Sequence, residues 1–590
     1  MKKKAVIIAI LSAHVVFCQT NSTMAERYFF QGDYKSATEL FEVLQKNHSY
    51  NIQYLKRLVT CYQETGNHHK AEKILKKTLS DNPSQKYLHV EIGYNFDRQQ
   101  KKELAKKAYL RALEAIQSDS SLGGIIGRMF QQNNLLNYAL EAYSKTMNLD
   151  QNANFKFQMA QIYGEKGEFE KMFDAYMELV NDNENHVGNI QRYMNRYIDD
   201  NPLNRNNIAL KKSLLKKSVR NPKNVWNQLL SWLFTKQKEY EKSFVQEKTL
   251  FRRDPKDLAP IFKLAKIAFE DKAYLTARKC LNFLLNNSNA LEEKLGAELF
   301  LLKIARKTSN KNSLHLFEKT LQEYGINQNT LTIQKEFADH LIFQENDPLK
   351  GIEILENALD LTKNTFRRGE IKLKLGEAFL FCGRFNKALL HFSQVQNQLK
   401  NHPLSHKARF KVAQTSYFKG DFAWAKLQLK GLKSSTSQLV ANDAVHLFLV
   451  ISDHESRDSV PMGLRSFAKA ALLTYQNKTK MALSTYDTIL RKYHGFPIED
   501  EALFNQAHLY LKENLYEKAI ENFLKIISID PEGMLVDDSY YLLAETYKNH
   551  LKDLKKATEY YQKIIFEKTS SIHLVEARRK YRELRGDVLH

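Results

Sequence analysis

The chain has 590 residues, a formal net charge of +22, 10 Pro, 21 Gly and 4 Cys. So few breakers exclude a string of globular domains on flexible linkers, and so few cysteines exclude a disulfide-stapled scaffold. The positive balance asks for an anionic partner.

Met1 to Cys18 reads as a targeting segment: Lys2, Lys3 and Lys4, then an apolar run from Ala5 to Phe17. The run is too short to span a bilayer comfortably and fits a cleaved secretory signal over 1–18. Val16-Phe17-Cys18 before Gln19 resembles a signal-peptidase site. A lipidated Cys18 is the competing reading, and Phe17 opposes it because a lipobox takes a small residue there. Cleavage leaves Cys61, Cys280 and Cys382 in separate predicted helices, too far apart to bridge and expected to be small buried apolar residues. No other stretch is apolar enough for a transmembrane span. The expected setting is therefore periplasmic, with outer-membrane or peripheral membrane association left open. Export argues against nucleic acid as the anionic partner. It favours a membrane surface, an acidic polysaccharide or an acidic protein.

From Tyr28 onward the sequence repeats. Tyr28, Tyr62, Phe96 and Phe130 stand 34 residues apart, as do Ala37, Ala71, Ala105 and Ala139. Two looser columns share the step: Gly32, Gly66, Gln100 and Asn134, then Phe41, Leu75, Tyr109 and Tyr143. A fixed step in this range means a stacked array of one supersecondary unit. In one copy, Leu55, Leu58 and Tyr62 share a face of a first helix. Gly66 is expected in the left-handed C′ conformation and Asn67 as the next N-cap. Ala71, Leu75 and Leu79 then form the facing stripe, with Ala71 small because the helix backbones approach closely there. Asn82-Pro83 stops the helix.

This unit resembles the tetratricopeptide repeat (TPR) family, and the resemblance recurs along most of the chain. It implies an all-α fold, a right-handed TPR superhelix (α-solenoid) of about fourteen helical hairpins. The N-terminal array covers 19–185. Over 186–223 the pattern fades into Asn-rich sequence, a degenerate repeat or a hinge that its weak apolar faces should leave the most mobile part of the array. A middle array over 224–365 puts serines, Ser231 and Ser243, at the small positions and reads Asp347-Pro348 as a cap followed by proline at N1. The C-terminal array, 366–590, is sharpest: Gly376, Gly383 and Ala388, then Ala413, Gly420 and Ala425. An irregular helix covers Asp443 to Ser452, and a polar loop follows through Pro461. Ala507 and Ala519 belong to the cleanest copy, and a one-residue insertion falls near His550. Leu574 to Tyr581 is a basic amphipathic capping helix. From Arg368 on, long spacers such as Asn401-His402-Pro403-Leu404-Ser405 resemble TPR proteins of bacterial envelope biogenesis, of the outer-membrane-assembly and periplasmic-coordinator type.

No phosphate loop, nucleophile elbow or zinc-helix motif is present. His68-His69 beside Glu72, and His454-Glu455 with Asp458, read as ordinary surface composition. The expectation is a non-enzyme with no metal and no cofactor. In the TPR family the first helix of each hairpin lines the concave groove, which puts Lys56, Thr60 and Gln63 there. The family's carboxylate clamp takes Lys and then Asn four later. Lys56 matches and Thr60 does not, so that role is not carried over. The corresponding C-terminal positions are Leu373, Glu377, Leu380 and Phe381, then Lys407, Phe410, Gln414, Tyr417 and Phe418, then Phe467, Thr474 and Tyr475, and then Phe504, His508 and Lys512. Exposed rings along one groove would mark a protein-binding face. The resemblance thus implies a scaffold for protein partners in envelope biogenesis, outer-membrane protein assembly or secretion. The alternative is an adaptor for peptidoglycan or polysaccharide enzymes, or a binder of anionic envelope glycan.

Overall fold

The computed structural model describes residues 22–308, 312–432, 438–454 and 462–587. The leader at Met1–Cys18, and Glu455, Asp458 and Pro461, lie outside them. Every regular element among the described residues is helical, and the helices pack in consecutive antiparallel pairs. The chain divides into two compact units, Met1–Cys280 and Leu281–His590.

The turn column explains the repeat. Gly32, Gly66, Gln100 and Asn134 all have φ between 56° and 80°, so the column selects a left-handed residue rather than glycine as such. One residue on, the N–H returns to the carbonyl of the column aromatic: Asp33 to Tyr28 at 3.0 Å, Asn67 to Tyr62 at 2.7 Å, Lys101 to Phe96 at 3.0 Å and Leu135 to Phe130 at 2.8 Å. This six-to-one bond of the Schellman type closes the first helix and aims the second back along it. Asn67 does not cap with its side chain, contrary to expectation. Its amide donates instead to Thr65 Oγ1 at 3.0 Å.

Ala37, Ala71, Ala139, Ala388, Ala425, Ala482, Ala519 and Ala557 are wholly buried. Across from them, a Cβ added to Gly93, Gly127 or Gly376 would lie 2.4 Å from the ring of Tyr109, Tyr143 or Phe392. The small residue of one helix seats the aromatic of its partner. Ala519→Leu should therefore force the helices apart and cost about 1–3 kcal/mol. Exposed Lys518→Glu should stay within about 0.5 kcal/mol. Thermal melting of the two variants checks the register.

Residues 186–223 form the helices Val187–Met194 and Arg205–Arg220. Ile190, Met194, Ile198, Leu210 and Leu214 share a core cluster with Trp226. Buried Asn207 holds the connection by donating to the carbonyls of Asp199 (3.1 Å) and Asn201 (2.6 Å). The serine pair of the middle array is hydrogen-bonded, Ser231 Oγ to Ser243 Oγ at 2.9 Å. Asp347 caps Lys350 N at 3.1 Å ahead of a proline at N1. The extra residue near His550 is absorbed as a π-helical turn, Tyr547–Leu551, ending in left-handed Lys552. Buried Ala577 seats the final Leu574–Arg585 helix.

Candidate binding surfaces

In the first unit, the first helices of successive hairpins line an open polar cleft of about 480 Å³. Ile52–Glu64 contributes Lys56, Arg57, Thr60 and Gln63. His89–Asp97 contributes Glu91 and Tyr94, with Arg98 just beyond its end, and Gln132 and Asn133 close the far side. Lys56, Thr60 and Gln63, given by the sequence register as groove positions, all line this cleft. Arg57 is 3.2 Å from Glu26 and 4.2 Å from the centre of the Phe29 ring. Arg98 is 2.7 Å from Glu64. Burial pushes the Glu91 carboxyl up, against Lys56 and Asn133, which pull it down. Gln63 is 4% exposed, yet its amide nitrogen has no hydrogen-bond partner among the described residues. An unpaired buried donor costs about 1–3 kcal/mol.

The second unit differs. Phe381, Phe418 and Tyr475 each stand two residues before a left-handed turn residue, Gly383, Gly420 and Asn477. They share one face, as the register requires. That face is closed by the chain itself. Tyr475 packs on Phe343 (6.0 Å between ring centres), Phe381 (6.3 Å) and Phe418 (6.1 Å). Its hydroxyl donates to Glu377 O at 3.3 Å, and Asn477 donates to Phe343 O at 2.9 Å.

The expectation of an open aromatic groove is corrected accordingly. Leu373, Phe381 and Tyr417 are buried, and Phe410, Phe418, Tyr475 and Phe504 are half-buried. Only Lys407, His508 and Lys512 of the expected set are exposed. The surviving open stretch is Phe504 with His508, 4.7 Å between ring centres, and Lys512. Sequence periodicity gives the face of each helix but not the curvature that brings residue 475 back to residue 343.

Beneath the closed face runs a charge ladder that sequence reading missed. Arg306 meets Glu336 at 2.8 Å and Asp339 at 2.6 Å. Lys374 meets Asp339 at 2.6 Å and Glu377 at 2.7 Å, and Lys411 lies 3.8 Å from Glu377. Burial alone would raise the Asp339 and Glu377 carboxyls. Lys374, helped by Arg306 at Asp339 and by Lys411 at Glu377, outweighs it and holds both below the usual range. Lys374 and Lys411 are 37 residues apart, the spacing of Gly383 and Gly420, so the signal was a charged column inside an otherwise apolar helix.

One carboxylate behaves oppositely. Burial, with Asp500 and Asp453 adding to it, pushes Glu501 up to about 7, and its Oε2 has no hydrogen-bond partner among the described residues. A raised carboxyl contributes stability fully below its unfolded value near 4.5, and that stability is lost as pH rises through about 7. Glu501→Gln should therefore raise the melting temperature by several degrees at pH 8, by up to about 3 kcal/mol, and change it little at pH 4.5. Melting curves at both pH values check this.

Among the described residues, no three His, Cys, Asp or Glu side chains converge to hold an ion. His68 faces Asn95 at 3.3 Å and Glu72 pairs with Lys76 at 2.5 Å. Burial pushes the Cys61 thiol up to about 11 and Cys280 to about 12, as for packing residues rather than nucleophiles. No described helix is long and apolar enough to cross a membrane.

Two family models described as tetratricopeptide repeat match residues 500–532 and 538–565. These are the pairs Ile498–Lys512 with Tyr516–Ile529 and Val536–Thr546 with Leu554–Glu567. No curated protein matches the chain. Among solved structures, Naa15/Naa10 bound to HypK-THB is similar at 14% identity, covering 96% of this chain and 97% of that one, with a TM-score of 0.28. The Cut9–Hcn1 hetero-tetramer of the APC/C is similar at 14% identity over 87% and 94%, with a TM-score of 0.26.

Proposed function

We propose that this chain, which carries tetratricopeptide repeats, is a non-catalytic scaffold whose N-terminal cleft takes a segment of a protein partner. The observation that carries the reading is the open polar cleft itself, lined by Lys56, Gln63, Glu91, Tyr94 and Arg98. Such a wall suits an extended backbone, whose carbonyls would accept from Lys56, and Tyr94 offers the aromatic contact that anchors interfaces. The leader-like start at Met1–Cys18 supports export, and with it a role in envelope assembly or secretion. Lys56→Glu with Tyr94→Ala in the full chain should cut partner recovery from detergent-solubilised envelope at least ten-fold, about 1.4 kcal/mol, with the parent's melting temperature kept. Unchanged recovery would sink the cleft. Outer-membrane β-barrel proteins among the partners would support the assembly reading, and wall enzymes would replace it with the adaptor reading.

A further inference from the structure

The charge of the chain is not spread evenly. From Arg384 to Ser437 it carries ten Lys and Arg against one carboxylate, Asp421. Lys411 belongs to the buried ladder, 3.8 Å from Glu377. Arg384, Lys387, Lys400, Lys419 and Lys430 are exposed, and no carboxylate lies within ion-pair distance of them among the described residues. Elsewhere some surface cations are paired, as Lys156 is with Asp182 and Lys279 with Glu241, and carboxylates are interspersed along the sequence, which, Asp421 apart, they are not between Arg384 and Ser437. An uncompensated basic surface attracts an anionic one.

Large apolar side chains stand among these cations. Leu390 and Leu427 are each 56% exposed, and Trp424 is 47% exposed. The two leucines occupy the same register position, two residues after wholly buried Ala388 and Ala425, on the second helices Phe385–Gln398 and Phe422–Lys430. Lys387 with Leu390, and Trp424 with Leu427, are i, i+3 neighbours and so share a face. Leucines at half exposure, a tryptophan and lysines whose stems can lie along apolar surface while their heads reach outward match the two signals of interfacial membrane binding, apolar insertion and attraction to anionic headgroups. A nucleic acid would take the cations and could stack on Trp424, but it offers nothing to Leu390 and Leu427.

We propose that the outer face of the Phe385–Gln398 and Phe422–Lys430 helices docks on an anionic lipid surface. This face is separate from the N-terminal cleft, so the two readings stand or fall apart. The test is co-sedimentation of the full chain with vesicles of phosphatidylcholine containing about one-third phosphatidylglycerol, against phosphatidylcholine alone. Binding should require the anionic lipid and weaken with salt. The K387E/K400E/K430E variant should bind at least ten-fold more weakly, and L390S/L427S should also lose binding, all with the parent's melting temperature. Brominated lipid should quench tryptophan fluorescence of the parent and not of W424F, a readout that needs no altered charge. Equal partition onto neutral vesicles, or parental binding by the charge-reversed chain, would overturn the proposal. So would L390S/L427S binding like the parent while heparin or RNA displaces it, which would mark a simple polyanion surface.

Discussion

Replacing Tyr417 and Phe418 together by alanine should unfold the second unit well below the parent's melting temperature. Tyr417 is 3% exposed and lies 5.7 Å from Phe418 and 5.8 Å from Phe422, ring centre to ring centre. Truncating a buried aromatic costs about 3–5 kcal/mol. Half-buried Phe418, tilted against Tyr475, adds a smaller amount that need not sum with the first, because the Tyr417 and Phe418 rings are neighbours. The Tyr417 hydroxyl has no hydrogen-bond partner among the described residues. Tyr417→Phe should therefore be neutral or slightly stabilising, since it removes a buried polar atom without orphaning another. His508→Ala with Lys512→Ala, on the open stretch, should melt within about 0.5 kcal/mol of the parent. These contrasts test burial against a contact face. If the double alanine variant of Tyr417 and Phe418 melted with the parent, the rings would be open and the closed inner face would be wrong.

What the sequence made legible follows from what repeats. Columns at Tyr28, Ala37 and Gly32 report contacts inside one hairpin, made the same way each time, so local spacing reveals them. Even the irregularities were readable where they were local: an extra residue near His550 has to go somewhere, and a π-turn takes it. Residues 186–223 were obscure because their connection is held by Asn207 reaching backbone carbonyls, a device without periodicity. In the second unit, the register brought Phe381, Phe418 and Tyr475 together but did not give their exposure. Exposure there depends on a contact between Phe343 and Tyr475, and no 34-residue pattern encodes it. Gln63 was placed in the groove by register, while its missing partner is a fact of packing alone.

The charge ladder behind that closed face gives the other large effect. Lys374 bridges Asp339 and Glu377 on neighbouring helices, at 2.6 and 2.7 Å. Removing one partner of a fully buried ion pair costs about 3–5 kcal/mol, and because Lys374 and Asp339 are half-buried the loss here should fall at or below the lower end of that range. Lys374→Met keeps the apolar stem, so its loss isolates the charge. Asp339 would retain Arg306 at 2.6 Å, whereas Glu377, 5% exposed, would retain only Lys411 at 3.8 Å. Glu377 should therefore carry most of the penalty. The sign with pH follows from the depressed carboxyls. Their stabilisation is present above the unfolded carboxylate value and is lost as pH falls through their lower folded values. In Lys374→Met the orphaned carboxyl takes up a proton more readily, so the gap between variant and parent should shrink toward acid. Urea midpoints at pH 7 and near pH 4 measure it, and an equal gap at both would mean that Lys374 acts through its packing alone. Adding Glu377→Leu should recover most of the loss at pH 7, because an apolar pair of similar volume can replace a buried ion pair at little or no cost. The ladder would then hold the closed face in one register rather than supply its stability, and the four rings above it would remain the main source of cohesion.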